Sequence, residues 1–147
     1  MKPPFYADQV GSLLRPAALK EARSQSARGE ISADALREIE DREISRVIRK
    51  QEDVGLHSIT DGEFRRFMWH KDFIEHLDGV QSVDDEPPVM FMGMQVHAIN
   101  LKVTDKIGFS RHPQIDHFKF LKSHTKQTAK TVIPSPDALA PLKLPDR

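Results

Sequence analysis

Residues Gln51 to Val80, QEDVGLHSITDGEFRRFMWHKDFIEHLDGV, carry a helix end, a short apolar run and an acidic loop in immediate succession. The helix runs into Gly55, Leu56–Thr60 has the length of a buried strand, and Asp61-Gly62-Glu63 follows where a strand meets its loop. The earlier segment Ala7–Pro16 (ADQVGSLLRP) has the same form: a short extended run, a Gly-Ser turn, then a Pro that can open a helix. Two strand ends with polar residues predict one shared pocket. Chains built this way are α/β, and in a β/α barrel the chemistry collects at the carboxyl ends of the strands.

Length limits how much of such a barrel can form. A closed (β/α)8 (TIM) barrel needs roughly 250 residues, and this chain has 147. Three strand segments are legible, Phe5–Val10, Leu56–Thr60 and Lys130–Pro134, and three strands cannot close a barrel. The expectation is a partial (β/α)8 barrel over residues 1–136, with an irregular Pro-rich tail at 137–147. Its open sheet would leave an unpaired edge and an uncovered apolar face, hence poor stability alone. Pro16–Arg28 reads as a helical arm stopped by Gly29, and Ser32 as the N-cap of a long amphipathic helix. In that helix Leu36, Ile39, Ile44, Val47 and Ile48 recur at three-to-four-residue spacing. Arg66–Leu77 is expected as the helix after the second strand, stopped at Asp78-Gly79. Asp84–Pro88 reads as a turn or linker, Val89–Gln95 with Val96–Val103 as an inserted β-hairpin, and Asp116–Thr125 as a short helix.

The 22 basic and 22 acidic residues cancel, so nothing in the charge balance favours nucleic acid or an anionic membrane as partner. No apolar run approaches the roughly 20 residues of a membrane span, and the start MKPPFYADQ lacks the apolar centre of a secretory signal. A soluble cytoplasmic protein is the simple expectation. With no cysteine there is neither disulfide nor thiolate ligand, and the seven histidines (57, 70, 76, 97, 112, 117, 124) show no metal-site spacing. No metal site is expected from these residues.

Taken by themselves, the polar residues at the two strand ends have ordinary readings as well as functional ones. Ser12 serves equally as a turn or N-cap residue. Asp61 reads as a cap complementing the following helix, while Glu63, acceptor-only when ionised, suits a substrate ammonium group. Arg65 and Arg66 read as partners of nearby acids, Asp61, Glu63 or Asp72, or as anchors for a carboxylate. Trp69 and Phe73, four apart, read as core or rim packing.

Taken in order, Val10-Gly11-Ser12, Gln51-Glu52, Gly55-Leu56, Asp61-Gly62-Glu63, Arg65-Arg66, Asp72-Phe73 and Leu77-Asp78-Gly79-Val80 resemble the cobalamin-independent methionine synthase family, specifically its C-terminal catalytic barrel and the shorter single-barrel relatives. The resemblance covers residues 5 to 80 well, and Lys102 to Pro136 more loosely. It implies methyl transfer to the thiol of homocysteine, giving methionine, with homocysteine and a methyl donor as small-molecule partners. It assigns Val10, Gly11, Ser12 and Glu63 to the amino-acid part of homocysteine or methionine, with Asp61, Arg65 and Arg66 as supporting neighbours and no catalytic residue in this chain. The Asp-Gly-Glu segment stands where the long enzymes have His-Gly-Glu, and Ile99-Asn100 stands where they have an Arg-Cys pair contacting the pterin. The family activates sulfur with zinc held by His, Cys, Glu and Cys on later strands, beyond this sequence. That implies a chain inactive alone, or one completed by a second polypeptide. Alkyl transfer to another thiol, a decarboxylase-type reaction on the same barrel, and a non-catalytic interaction module are the open alternatives.

Overall fold

Local punctuation sets the first two helices. α1 (Ala17–Ala27) follows Pro16 and closes at Arg28-Gly29, where Gly29 adopts φ +74°. α2 (Ala33–Asp53) starts at Ser32, whose hydroxyl accepts the Ala35 N–H at 3.1 Å, and ends before Gly55 at φ +84°. The apolar stripe of α2 buries Ile44 and Ile48 against Leu19, Ile59, Phe64 and Leu121. Each fully buried aliphatic or aromatic side chain contributes roughly 1.5–3 kcal/mol, so this cluster holds the helices to the strand that follows.

That strand is β1 (Ser58–Ile59), inside the expected Leu56–Thr60. Next come α3 (Lys71–Ile74), β2 (Asp78–Ser82), β3 (Val89–Phe91), β4 (Met94–Val96), β5 (Leu101–Gly108), α4 (Pro113–His124) and β6 (Thr128–Ala129), then a 3-10 turn at Pro136–Leu139. The computed structural model describes residues 7–83, 89–91, 94–96 and 101–139. β1 and β6 pair in parallel, Ser58 with Thr128 and Ile59 with Ala129. β2 and β5 are antiparallel, as are β3 and β4. The chain is thus α/β with few strands. Among the described residues no helix is long and apolar enough to cross a membrane.

Several expectations are corrected. Ala7–Val10, the described part of the first expected strand, forms no ladder. Its polar groups are engaged by a side chain instead: Lys130 Nζ donates to Asp8 Oδ2 at 2.6 Å and to the Gln9 carbonyl. The strand expected at Lys130–Pro134 lies two residues earlier, since Thr128–Ala129 makes the pairing and only the Lys130 N–H continues it, to Ile59 O at 2.8 Å. Further along, the Val132 carbonyl accepts from the Arg66 guanidinium at 2.6 Å rather than from a strand. Finally, Arg66–Leu77 is not one helix but irregular chain leading into α3. The Asp72 carboxylate accepts from the N–H groups of Phe67 (2.5 Å) and Met68 (3.1 Å), closing a side-chain-to-backbone turn that competes with helix there. Asp78-Gly79, expected as a helix stop, opens β2. The expected pairing of Val89–Gln95 with Val96–Val103 is also replaced: Val89–Phe91 pairs with Met94–Val96, and Leu101–Val103 pairs with β2. Phe5, Tyr6, the Asp84–Pro88 turn, Ile99-Asn100 and residues 140–147 of the tail lie outside the described residues.

Residues up to Arg66 together with Ile115–Val132 form one compact unit, and Phe67–Gln114 with the residues from Ile133 onward form another. The first holds the core just described. The second is organised around Ile74, Val80 and Leu101, with Phe73 and Leu77 packed against them. There Asp78 is bonded by Ser110 through both its N–H (2.8 Å) and its hydroxyl (2.7 Å).

Candidate functional site

β1 delivers the chain to a buried turn, Asp61-Gly62-Glu63-Phe64. Gly62 (φ +65°) and Glu63 (φ +57°) are consecutive left-handed residues. Glycine tolerates this conformation, whereas for Glu63 it costs roughly 1–2 kcal/mol, so its surroundings must hold it there. They do so from several directions. The Glu63 N–H donates to Asp61 Oδ1 at 2.9 Å, and its carbonyl accepts from Arg15 Nη2 at 3.0 Å. Its carboxylate accepts the Ser12 hydroxyl at 2.7 Å through Oε2, and Oε1 lies 3.7 Å from Arg66 Nη1. The Leu13 N–H, donating to Gly62 O at 3.1 Å, ties the Ser12 segment to the same turn.

Two of the four residues assigned to an amino-acid pocket therefore touch directly, although 51 positions separate them in the chain. Gly11, at φ +80°, turns the backbone just ahead of Ser12. Val10 is 79% exposed, and Ser12 is also exposed. Glu63 itself is only 5% exposed. The arrangement is a buried carboxylate reached from solvent across a hydroxyl.

The supporting residues divide. Asp61 caps its own turn through the Glu63 N–H, not a following helix, because no helix follows at that point. Arg66 keeps the expected ion pair with Glu63 and reaches Val132 O. Arg65 does not pair with Asp61, Glu63 or Asp72. Its guanidinium binds Glu40 Oε2 at 3.0 Å and Asp41, and lies 5.2 Å over the Phe120 ring. The carboxylates of Asp61 and Asp72 are already occupied by backbone N–H groups. Arg65 is thus a strut between α2 and the turn.

Other residues support the turn without having been singled out as site candidates. Arg15 Nη2 also donates to Arg66 O at 2.8 Å, and Arg23 donates to Arg66 O at 3.0 Å and to Phe64 O. Gln51, within the Gln51-Glu52 motif, holds both main-chain groups of Thr60. Lys130, just past β6, fixes Asp8 and Gln9 ahead of Gly11. Its hydrogen bond holds the Asp8 carboxyl below the usual carboxylate range, against desolvation, with the Ser58 hydroxyl adding to the effect. An arginine or lysine bonded to a distant carbonyl leaves no spacing signal, so only Gln51 had one.

Among the described residues no group of three or more His, Cys, Asp or Glu could hold a metal ion, and the chain has no cysteine. A thiolate-rich zinc centre does not fit these residues. The groove of about 720 Å³ lined by Leu14, Pro16, Arg46, Val47, Phe64 and neighbouring α2 cations includes neither Ser12 nor Glu63.

The family described as "Cobalamin-independent synthase, Catalytic domain" matches residues 5–127. The uncharacterized protein YxjG of Bacillus subtilis (strain 168) is 50% identical over 139 residues, 94% of this chain and 37% of YxjG. The crystal structure of a putative vitamin-B12 independent methionine synthase from Listeria monocytogenes superposes with a TM-score of 0.80 at 44% identity, covering 97% of this chain and 40% of that one. A 5-methyltetrahydropteroyltriglutamate--homocysteine methyltransferase of Nitrobacter winogradskyi is 36% identical over 100 residues, 60% of this chain and 13% of that enzyme. The chain spans well under half the length of these relatives. With more than four-fifths of its residues inside the family match, this chain belongs to the cobalamin-independent methionine synthase family.

Proposed function

We propose that this chain contributes the amino-acid end of a methionine synthase-type active site, in which a methyl group passes to the thiol of homocysteine. In this reading residues 1–136 are the N-terminal portion of a (β/α)8 barrel with a helical arm and an inserted hairpin, and 137–147 are its tail. Val10, Gly11, Ser12 and Glu63 bind the substrate, while Asp61, Arg65 and Arg66 hold the turn that carries Glu63. The observation that carries the reading is the 2.7 Å bond between Ser12 Oγ and Glu63 Oε2, which joins the Gly11-Ser12 turn to the loop after β1. An ionised carboxylate accepts only, so it suits the ammonium group of an amino acid, and the neighbouring hydroxyl orients it.

Methyl transfer needs a thiolate at neutral pH, and the described residues offer no ligand set to stabilise one. Chemistry is therefore assigned to residues outside it, and the 147-residue chain alone is inactive. Calorimetric titration with L-methionine and L-homocysteine tests the binding assignment. Saturable binding that weakens by about tenfold or more in Glu63→Gln is expected, the size of a lost charged hydrogen bond. No binding by the unsubstituted chain, or equal affinity in the variant, refutes the pocket. Methionine formation by the isolated chain would refute the division of labour.

A further inference from the structure

We propose that Gln51 is a positioning residue that fixes the Glu63 carboxylate from a distance, acting through Thr60 and Gly62. The role assigned to Glu63 as ligand rests on the amino-acid-site reading above; the placement of its turn does not.

Gln51 sits in the last turn of α2 and is 4% exposed. Its amide nitrogen donates to Thr60 O at 2.8 Å and to Val47 O at 3.1 Å. Its amide oxygen accepts the Thr60 N–H at 3.0 Å and lies 3.4 Å from the Thr60 hydroxyl. Both donors and the oxygen are thus used, and a flipped amide would set like against like at Thr60. A main-chain N–H and C=O on one residue are satisfied by a single side chain, as a neighbouring strand would satisfy them. Gln51 therefore stands in for a strand where β1 stops pairing at Ile59.

Thr60 passes the constraint on. With its hydroxyl proton directed at Gln51 Oε1, its lone pair receives the Gly62 N–H at 3.1 Å. Gly62 is closely packed: a Cβ there would lie 3.0 Å from Phe64 Cε1 and 3.2 Å from Leu13 Cβ. The next residue is Glu63, held left-handed. Two hydrogen-bonded steps thus connect a helix amide to the conformation that aims the carboxylate at Ser12, and every group in the relay is buried.

The test is a mutant cycle on the full chain with Gln51→Met, Thr60→Val and Glu63→Gln. The first two keep volume but remove the amide or the hydroxyl. Each should weaken L-methionine binding by about tenfold, yet cost little further affinity once Glu63→Gln is present, because their effect passes through that carboxylate. A structural role alone would lower the unfolding midpoint and leave affinity unchanged, and that result overturns the proposal. Thr60→Val keeps the main-chain bonds of Gln51 and so serves if Gln51→Met does not fold. Amide hydrogen exchange at Gly62 and Glu63 gives a reading without ligand: acceleration confined to this turn in Thr60→Val supports the relay, and unaltered exchange refutes it. A wild-type chain that binds no methionine would sink the pocket reading, while exchange would still decide the relay.

Discussion

Gly79 and Gly29 share one backbone angle, φ +74°, and differ in what surrounds them. A Cβ at Gly29 would meet nothing within 4 Å, whereas at Gly79 it would lie 2.6 Å from the carbonyl oxygens of both Asp105 and Lys106. Substituting alanine at each position therefore separates the conformational penalty from the steric one. At Gly29 the left-handed cost of roughly 1–2 kcal/mol is partly offset by the stiffer unfolded chain, which leaves about 1 kcal/mol. At Gly79 the same cost applies, and backbone oxygens cannot rotate out of the way. β5 must separate from β2 at the register shift between Asp78 and Val80, adding overpacking of about 1–3 kcal/mol. The expected losses are about 1 kcal/mol for Gly29→Ala and about 3 kcal/mol for Gly79→Ala. Because the two glycines lie in different compact units, native-state hydrogen exchange at Val103 and Gln81 is the right assay beside urea unfolding. In the Gly79 variant those amides should exchange about a hundredfold faster, against little change in the Gly29 variant. Equal losses at the two positions would refute the steric argument.

Two further outcomes follow from buried charges. Arg65→Met removes the partner of Glu40 and Asp41, but Glu40 keeps Arg23 at 3.3 Å and Asp41 is partly solvated, so the loss should be about 2 kcal/mol rather than that of an isolated buried pair; an unchanged urea midpoint would refute the strut. Burial, followed by the charges of Arg65, Arg37 and Arg66, lowers the His117 imidazole to about 4 against the opposing pull of Asp116. Since that value lies below the unfolded histidine's roughly 6.5, the unfolded chain takes up the proton first. The His117 contribution is full above that unfolded value, declines as pH falls toward the folded one, and levels off below it. Urea midpoints across this range should fall less steeply in His117→Gln, and a parallel profile would refute the assignment.

Elements fixed by neighbouring residues were legible, and those fixed by remote ones were not. Ser32 and Gly29 mark helix ends within a few residues of themselves, and both ends lie where the pattern placed them. Arg66–Leu77 was misread because helical spacing cannot register that Asp72 will bond two backbone groups behind it. The third strand was displaced by two residues because apolar content does not reveal that Val132 O is claimed by Arg66. Glu63 and Ser12 stood out through motif order, whereas their contact spans 51 positions and no local pattern encodes it. Arg65 shows the same limit: acids close in sequence were the natural partners, but Glu40 and Asp41 are brought to it by the packing of α2.

The backbone of Glu63 supplies an argument that motif order cannot. A left-handed residue after Gly62 is most cheaply a second glycine, yet the chain carries glutamate there and accepts roughly 1–2 kcal/mol of strain. Strain of that kind persists where the side chain is needed, and here the side chain meets Ser12 and Arg66. Glu63→Gly and Glu63→Ala both delete the carboxylate and its contacts, so they differ chiefly in the backbone. Alanine stiffens the unfolded chain, which ordinarily makes it the more stable of the two by about 0.4–1 kcal/mol. At φ +57° the order should invert, with glycine more stable by up to about 1 kcal/mol, while both should lose the proposed amino-acid binding alike. Urea unfolding of the pair decides it. If alanine proves equal or superior, Glu63 is not held left-handed in solution, and the carboxylate reaches Ser12 without stored strain.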